Sequence, residues 1–99
     1  MLKNILLEAT ETNILTASKE SAVLSIIFCN TSVSDINITI YAYPFSSSAS
    51  DTTTIIKDLT IKAKDTFIWT SDEKLILETG DIISGLGSGV SVAINYKEL

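Results

Sequence analysis

The sequence predicts an all-β protein, an antiparallel sandwich of two sheets with about seven to nine short strands. Threonine, isoleucine, valine and serine dominate the chain, and β-branched side chains favour pleated, half-buried surfaces. Short apolar runs alternate with polar residues, most cleanly from Val90 to Tyr96. Residues that form turns separate these runs. Immunoglobulin-like and jelly-roll-like arrangements both fit this pattern.

The length of 99 residues predicts a single sandwich domain over residues 1–99. Within it, residues 1–11 are expected to form an N-terminal arm or an edge strand. Lys3 to Ala9 reads as a first strand, and Thr12 to Thr16 as a short second one.

The segment from Ser21 to Asn30 has a continuous apolar centre, which predicts a central strand covered on both faces. The polar group from Asn30 to Asp35 is typical of a turn and predicts a hairpin. The returning strand is Ile36 to Tyr43, with its isoleucines facing the core. Pro44 ends that strand, and the serine-rich segment from Phe45 to Asp51 is the longest predicted loop.

The C-terminal half predicts further strands separated by turns. Inward positions in the segment from Thr53 to Ile61 are Ile55, Leu59 and Ile61. Gly80 marks a turn because glycine adopts positive φ without steric cost. The glycines between positions 85 and 89 lack the lysine of a phosphate-binding loop and lead into a hairpin return strand from Val90 to Tyr96. Shorter strands are expected at Thr66 to Thr70 and Lys74 to Leu77.

The composition argues against catalysis. The chain has no histidine, which removes histidine-based triads, histidine metal ligands and the usual acid or base near neutral pH. Its acidic residues fall at predicted turns and strand ends, where carboxylates commonly cap and solvate the chain. We therefore expect no catalytic residue, no cofactor and no metal. Asp72 and Glu73 are the alternative, a calcium site, although their spacing does not resemble an EF-hand loop.

Charge and hydrophobicity indicate the class of partner. The net charge of −5 disfavours binding to nucleic acid or to an anionic membrane surface. The apolar share of 45% and charged share of 19% leave surplus apolar surface, which favours association with other proteins. The lone Cys29 excludes an intramolecular disulfide and is expected to lie in the core.

Aromatic residues are the candidates for partner contacts, because aromatics dominate interface energetics. Tyr41 and Tyr43 share the polar face of their predicted strand. Phe45 in the serine-rich loop either folds back over the core edge or anchors a neighbouring subunit. Trp69 is the fourth candidate, with packing in the core as its alternative role.

Several phrases of the sequence resemble small structural proteins of tailed bacteriophages, over residues 12–98. The last of them, Lys74 to Ile83, matches best, and the strand from Val90 to Tyr96 completes the likeness. In the phrase from Ile61 to Phe67, Lys64 stands where glycine is common. The other two phrases are Ile14 to Ile26, and Phe28 to Ser32 followed by a strand ending at Tyr41 to Pro44.

This resemblance implies a virion component made in the bacterial host's cytoplasm. The leading expectation is a capsid decoration or cement protein that binds the assembled shell as a homo-oligomer, with a trimer as the expected symmetry. Its partners would be the major capsid protein or tail proteins. The alternatives are a neck-, tail- or fibre-associated subunit, or a small carbohydrate- or calcium-binding module. The chain offers no positive feature of an enzyme subunit or inhibitor.

Overall fold

A computed structural model describes residues 1–70 and 75–99 of the chain. It contains eight strands and one short 3₁₀ turn at Asp51–Thr53. The strands are β1 (Leu2–Leu6), β2 (Thr12–Thr16), β3 (Ser21–Asn30), β4 (Ile36–Tyr43), β5 (Thr54–Ile61), β6 (Thr66–Leu77), β7 (Ile82–Leu86) and β8 (Val90–Glu98).

The strands form two four-stranded antiparallel sheets that pack as a sandwich, which confirms the predicted fold class. The first sheet has the order β1-β8-β3-β6 and the second the order β2-β7-β4-β5. Every connection except β4 to β5 passes from one sheet to the other. Two interleaved four-stranded sheets connected in this way form a jelly roll, so the jelly-roll alternative is correct and the immunoglobulin-like one is not.

The predicted hairpin between β3 and β4 is wrong, because these strands belong to different sheets. The buried Asn30 side chain holds the crossing connection in place. Its Nδ2 donates to the carbonyl oxygens of Ser34 at 2.8 Å and Ile61 at 2.9 Å, while its Oδ1 accepts from the backbone N–H of Ser32 at 3.0 Å. A short polar turn can connect two strands of one sheet or cross between two sheets. The bond from Asn30 on β3 to Ile61 on β5 joins the two sheets, so it stabilises the crossing.

The predicted hairpin into β8 is also wrong, since β7 lies in the second sheet and β8 in the first. The glycine-rich connection instead bonds to the segment that follows β1. The N–H of Gly87 donates to the Glu8 carbonyl oxygen at 3.0 Å, and the N–H of Gly89 donates to that of Leu7 at 2.9 Å. Gly89 has φ +88°, a conformation that favours glycine. Two crossing connections therefore stabilise each other at this end of the sandwich.

The core lies between the inner faces of both sheets. On β3 it contains Val23, Ile26 and Phe28, and the Phe28 ring stacks on that of Phe67 with centroids 6.1 Å apart. The prediction that β3 is covered on both faces is wrong, because Ile27 is 36% exposed on the outer face. Cys29 is half-buried on the same outer face and not in the core.

On β5 the predicted inward position Ile55 is wrong, since its side chain is 40% exposed and Ile56 packs against the core instead. The cause is a break in the regular alternation. Asp58 has φ +47°, and the register with β4 shifts between Ile56 and Leu59. A β-bulge of this kind changes which side chains face inward.

Candidate functional site

The outer surface of the first sheet exposes several large hydrophobic side chains, and we call it the apolar face. Its large hydrophobic side chains are 36% to 65% exposed. Scattered exposed hydrophobics are ordinary on a folded protein, whereas a contiguous group indicates an interaction site. The exposed members are Leu2, Leu6, Ile27, Ile68 and Ile76.

Strand register aligns these residues in rows across the sheet. The central row runs from Asn4 through Ala93 and Ile27 to Ile68. Every side chain in this row and in the two rows beside it is uncharged. One flanking row consists of Leu6, Ser91, Cys29 and Thr66, and the other consists of Leu2, Asn95, Ser25 and Thr70.

The edges of the two sheets differ in regularity. β1 pairs with β8 at five consecutive positions without a register shift. The other three edge strands each contain an irregularity. The register of β2 shifts between Asn13 and Leu15, β5 carries the positive φ of Asp58, and the register of β6 with β3 shifts between Val23 and Ser25. Irregular edges resist pairing with other chains, and β1 lacks that protection.

The outer surface of the second sheet is polar. Glu11 precedes β2, and its Oε2 accepts hydrogen bonds from the Tyr43 hydroxyl and the Ser84 hydroxyl, both at 2.5 Å. The bond from Ser84 has the larger effect and the bond from Tyr43 the smaller one. Both lower the pKa of the Glu11 carboxyl because they favour its charged form. The bond to Glu11 raises the pKa of Tyr43, since it favours the protonated phenol.

The same surface holds further polar pairs that satisfy one another. The Thr39 hydroxyl donates to Asp58 Oδ1 at 3.2 Å, and the Asp58 N–H donates to Thr39 Oγ1 at 3.1 Å. The Thr60 hydroxyl donates to Asn37 Oδ1 at 2.7 Å. These groups already have partners within the chain, so little of their hydrogen-bonding capacity is directed at a ligand.

The four predicted aromatic contact residues lie in three different places. Tyr41 and Tyr43 are half-buried on the outer surface of the second sheet. Phe45, in the following loop, is 78% exposed and lies beside Gly80, where an added Cβ would come within 3.3 Å of the Phe45 Cβ. Trp69 is paired in register with Ile26 on the inner face and packs against the core.

Sequence reasoning missed the apolar face. The signal was present as uncharged apolar residues at alternating positions, for example Leu2 and Leu6. These positions become one surface only when β1, β8, β3 and β6 are known to be neighbours. The prediction that both faces of β3 are covered also excluded Ile27 from the expected exposed residues.

One shallow pocket of about 170 Å³ lies where the ends of β4 and β6 approach each other. Its lining includes Ala42, Tyr43, Pro44 and Leu75. Small-molecule sites usually enclose roughly 300–1,000 Å³. This depression is therefore too small to serve as a typical ligand or substrate site.

Among residues 1–70 and 75–99, no three side chains of histidine, cysteine, aspartate or glutamate cluster closely enough to hold a metal. The calcium candidates Asp72 and Glu73 lie outside the described residues. Within the described part of the chain, no helix is long and apolar enough to cross a membrane. Comparison with protein-family models, curated proteins and solved structures finds no match to this chain.

Proposed function

We propose that this protein is a non-enzymatic structural component of a tailed-bacteriophage virion, most specifically a capsid decoration protein that binds the assembled shell as a homo-oligomer. The observation that carries the proposal is the apolar face, where exposed Leu2, Leu6, Ile27 and Ile68 lie in three rows without charge. Exposed Ile76 lies in the next row, which also contains Ala22 and Lys97. Such a surface is suited to binding other proteins.

The energetics favour burial of this face. Covering apolar surface yields about 25 cal/mol per Å² removed from water. The three central rows contain no charge, so covering them carries no penalty for desolvating an ion. A sheet is also a rigid platform, so its backbone loses little further freedom on binding.

Two further observations support a virion component. The phrases from Ile14 to Ile26 and from Lys74 to Ile83 resemble small phage structural proteins, as described above. Viral capsid domains commonly use the jelly roll, although this is analogy at the level of the fold, and lectins use it too. The hydrogen-bonded tyrosine Tyr43 makes the second sheet a poorer carbohydrate platform than exposed, unbonded aromatics would be.

The test is immunogold electron microscopy of phage particles purified from cultures that express the gene. We expect label over the capsid surface. Label confined to the neck, tail or fibres would favour the alternative location, and particles without the protein would contradict a virion role.

A second arm uses the purified protein and capsids stripped of it. Re-binding measured by co-sedimentation should be lost for Ile68→Lys and kept for Ile55→Lys, the matched control on β5. Ile55 is also an exposed strand isoleucine but lies outside the apolar face. Equal binding by both variants would show that the apolar face does not contact the shell.

A further inference from the structure

We propose that two copies of this protein join through their β1 strands, which pair antiparallel about a two-fold axis at Asn4. Two four-stranded first sheets then become one continuous eight-stranded sheet. The inference deepens the proposed function, since it names the contact by which the protein oligomerises. It predicts a closed dimer, whereas the phage resemblance implies a trimer.

The backbone of β1 has a free hydrogen-bonding side. The Tyr96 N–H donates to the Met1 carbonyl oxygen at 2.9 Å, and the Leu7 N–H donates to that of Val90 at 2.8 Å. In an antiparallel pair, residues that exchange such bonds alternate with residues that do not. The N–H and C=O groups of Leu2, Asn4 and Leu6 therefore point away from β8, towards the open edge.

The strand is self-complementary about its centre. In the segment Leu-Lys-Asn-Ile-Leu, leucines stand at both ends and Asn4 lies in the middle. Pairing about Asn4 places Leu2 opposite Leu6 of the second copy and Asn4 opposite itself. Those are the three residues with free backbone groups, so this register satisfies all of them. Shifting the register by two residues leaves one leucine of each copy without a hydrogen-bonding partner.

Charge favours a second copy at this edge over other parts of the surface. Each chain carries −5, so two copies repel one another wherever their acidic surfaces meet. β1 carries no acidic residue, and its one charge, Lys3, faces Ile5 of the second copy in this register. Like charges directly opposite each other are thereby avoided.

The pairing also extends the apolar face. A two-fold axis perpendicular to the sheet keeps both outer faces on the same side. Leu2 and Leu6, 65% and 61% exposed in one copy, then lie beside the leucines of the other. The dimer would present one broad uncharged surface, twice the width available to a single copy.

The first test is the solution mass by light scattering across a concentration series. The unsubstituted chain should be a dimer, and Asn4→Pro should raise the dimer dissociation constant at least about tenfold, because it removes both central N–H donors. Asn4→Thr keeps the N–H and should remain a dimer. A trimer or a monomer of the unsubstituted chain, or an undiminished Asn4→Pro dimer, would overturn the proposal.

The second test reads the register directly and does not depend on tolerance of proline. In a Cys29→Ser background, Asn4→Cys should crosslink to its own copy on oxidation. Paired residues that exchange hydrogen bonds have Cα atoms about 5.5 Å apart, within disulfide range. Leu2→Cys or Leu6→Cys alone should not crosslink, but a mixture of the two should. Crosslinking of either alone, or none by Asn4→Cys, would contradict the register.

The two proposals fail separately. A crosslinked β1 dimer that is absent from phage particles would overturn the virion role and leave the dimer standing. A protein that decorates capsids but shows no Asn4-centred contact would overturn the dimer and leave the virion role standing.

Discussion

The two sheets of this sandwich share one core but present opposite outer surfaces. The first exposes leucine and isoleucine side chains within rows that carry no charge, whereas the second is covered by threonine, asparagine and tyrosine groups bonded to carboxylates or to one another. Polar groups that are already paired within the chain gain little from a partner, while exposed apolar groups gain by being covered. The contrast makes the outer surface of the first sheet the better candidate for contact with another protein.

The largest expected effect concerns the turn that holds the two sheets together. Asn30→Leu removes the bonds to the carbonyl oxygens of Ser34 and Ile61 and leaves these groups without their partner. We expect a loss of about 2–4 kcal/mol in the free energy of unfolding, measured by urea denaturation. Thr31→Val, at an exposed neighbour, should change it by less than about 0.5 kcal/mol. Equal losses of unfolding free energy in the two variants would contradict this role of Asn30.

A double substitution places two positive charges on the outer surface of the first sheet. Ile27→Lys combined with Ile68→Lys should weaken binding to stripped capsids by at least about a hundredfold, because two cations would have to be desolvated. The unfolding free energy should fall by no more than about 1 kcal/mol, since both side chains are partly exposed. Surface plasmon resonance on immobilised capsids gives the affinity. Unchanged binding would show that the apolar face does not contact the capsid.

A third prediction concerns the second surface and pH. The folded pKa of Glu11 is lowered, so its stabilising contribution is present above the unfolded value of 4.5 and is lost as pH falls through the folded pKa. Glu11→Gln should therefore lower stability more at pH 7 than at pH 3, as measured by urea denaturation at both values. A Glu11→Gln penalty equal at both pH values would contradict the role of the charged carboxylate.

A fourth prediction uses the raised pKa of Tyr43. The stabilisation from its bond to Glu11 is present below pH 10 and is lost as pH rises through the folded pKa. Tyr43→Phe should consequently cost stability at pH 8 and cost less above pH 11. A Tyr43→Phe cost that is equal at both pH values would contradict the role of this bond.

The smallest expected effect is that of salt. Because Lys3, the one charge on β1, faces Ile5 of the second copy, raising NaCl from about 0.05 to 0.5 M should change the dissociation constant of the β1 dimer by less than about threefold. Sedimentation velocity measures the dissociation constant at each salt concentration. A steep weakening of the dimer with salt would assign the contact to charged residues outside β1.

Local sequence patterns predicted much of the strand content. The bounds of β2, β3 and β4 are those that alternation and turn residues indicated. What could not be predicted depends on distant partners. A turn such as the one after Asn30 has the same residue types in a hairpin and in a crossing, and only the bond to Ile61 distinguishes them. On β5, one positive φ at Asp58 reversed the expected alternation.

The candidate surface was less predictable than the fold, for the same reason. Aromatic side chains are recognisable one at a time, so Tyr41, Tyr43, Phe45 and Trp69 were singled out from the sequence. The apolar face is a property of four strands side by side, and its members lie as far apart in the chain as Leu2 and Ile76. Register, and not residue type, creates it.

The pairing of β1 with β8 has a consequence for how the chain reaches this structure. The first sheet cannot be completed until β8 has left the ribosome, since β3 needs β8 on one side and β6 on the other. Folding dominated by such distant pairings is slow, on the order of milliseconds to seconds. During that interval the apolar centre of β3 is uncovered and prone to aggregate. We therefore expect synthesis rate and chaperones to affect the yield of this protein.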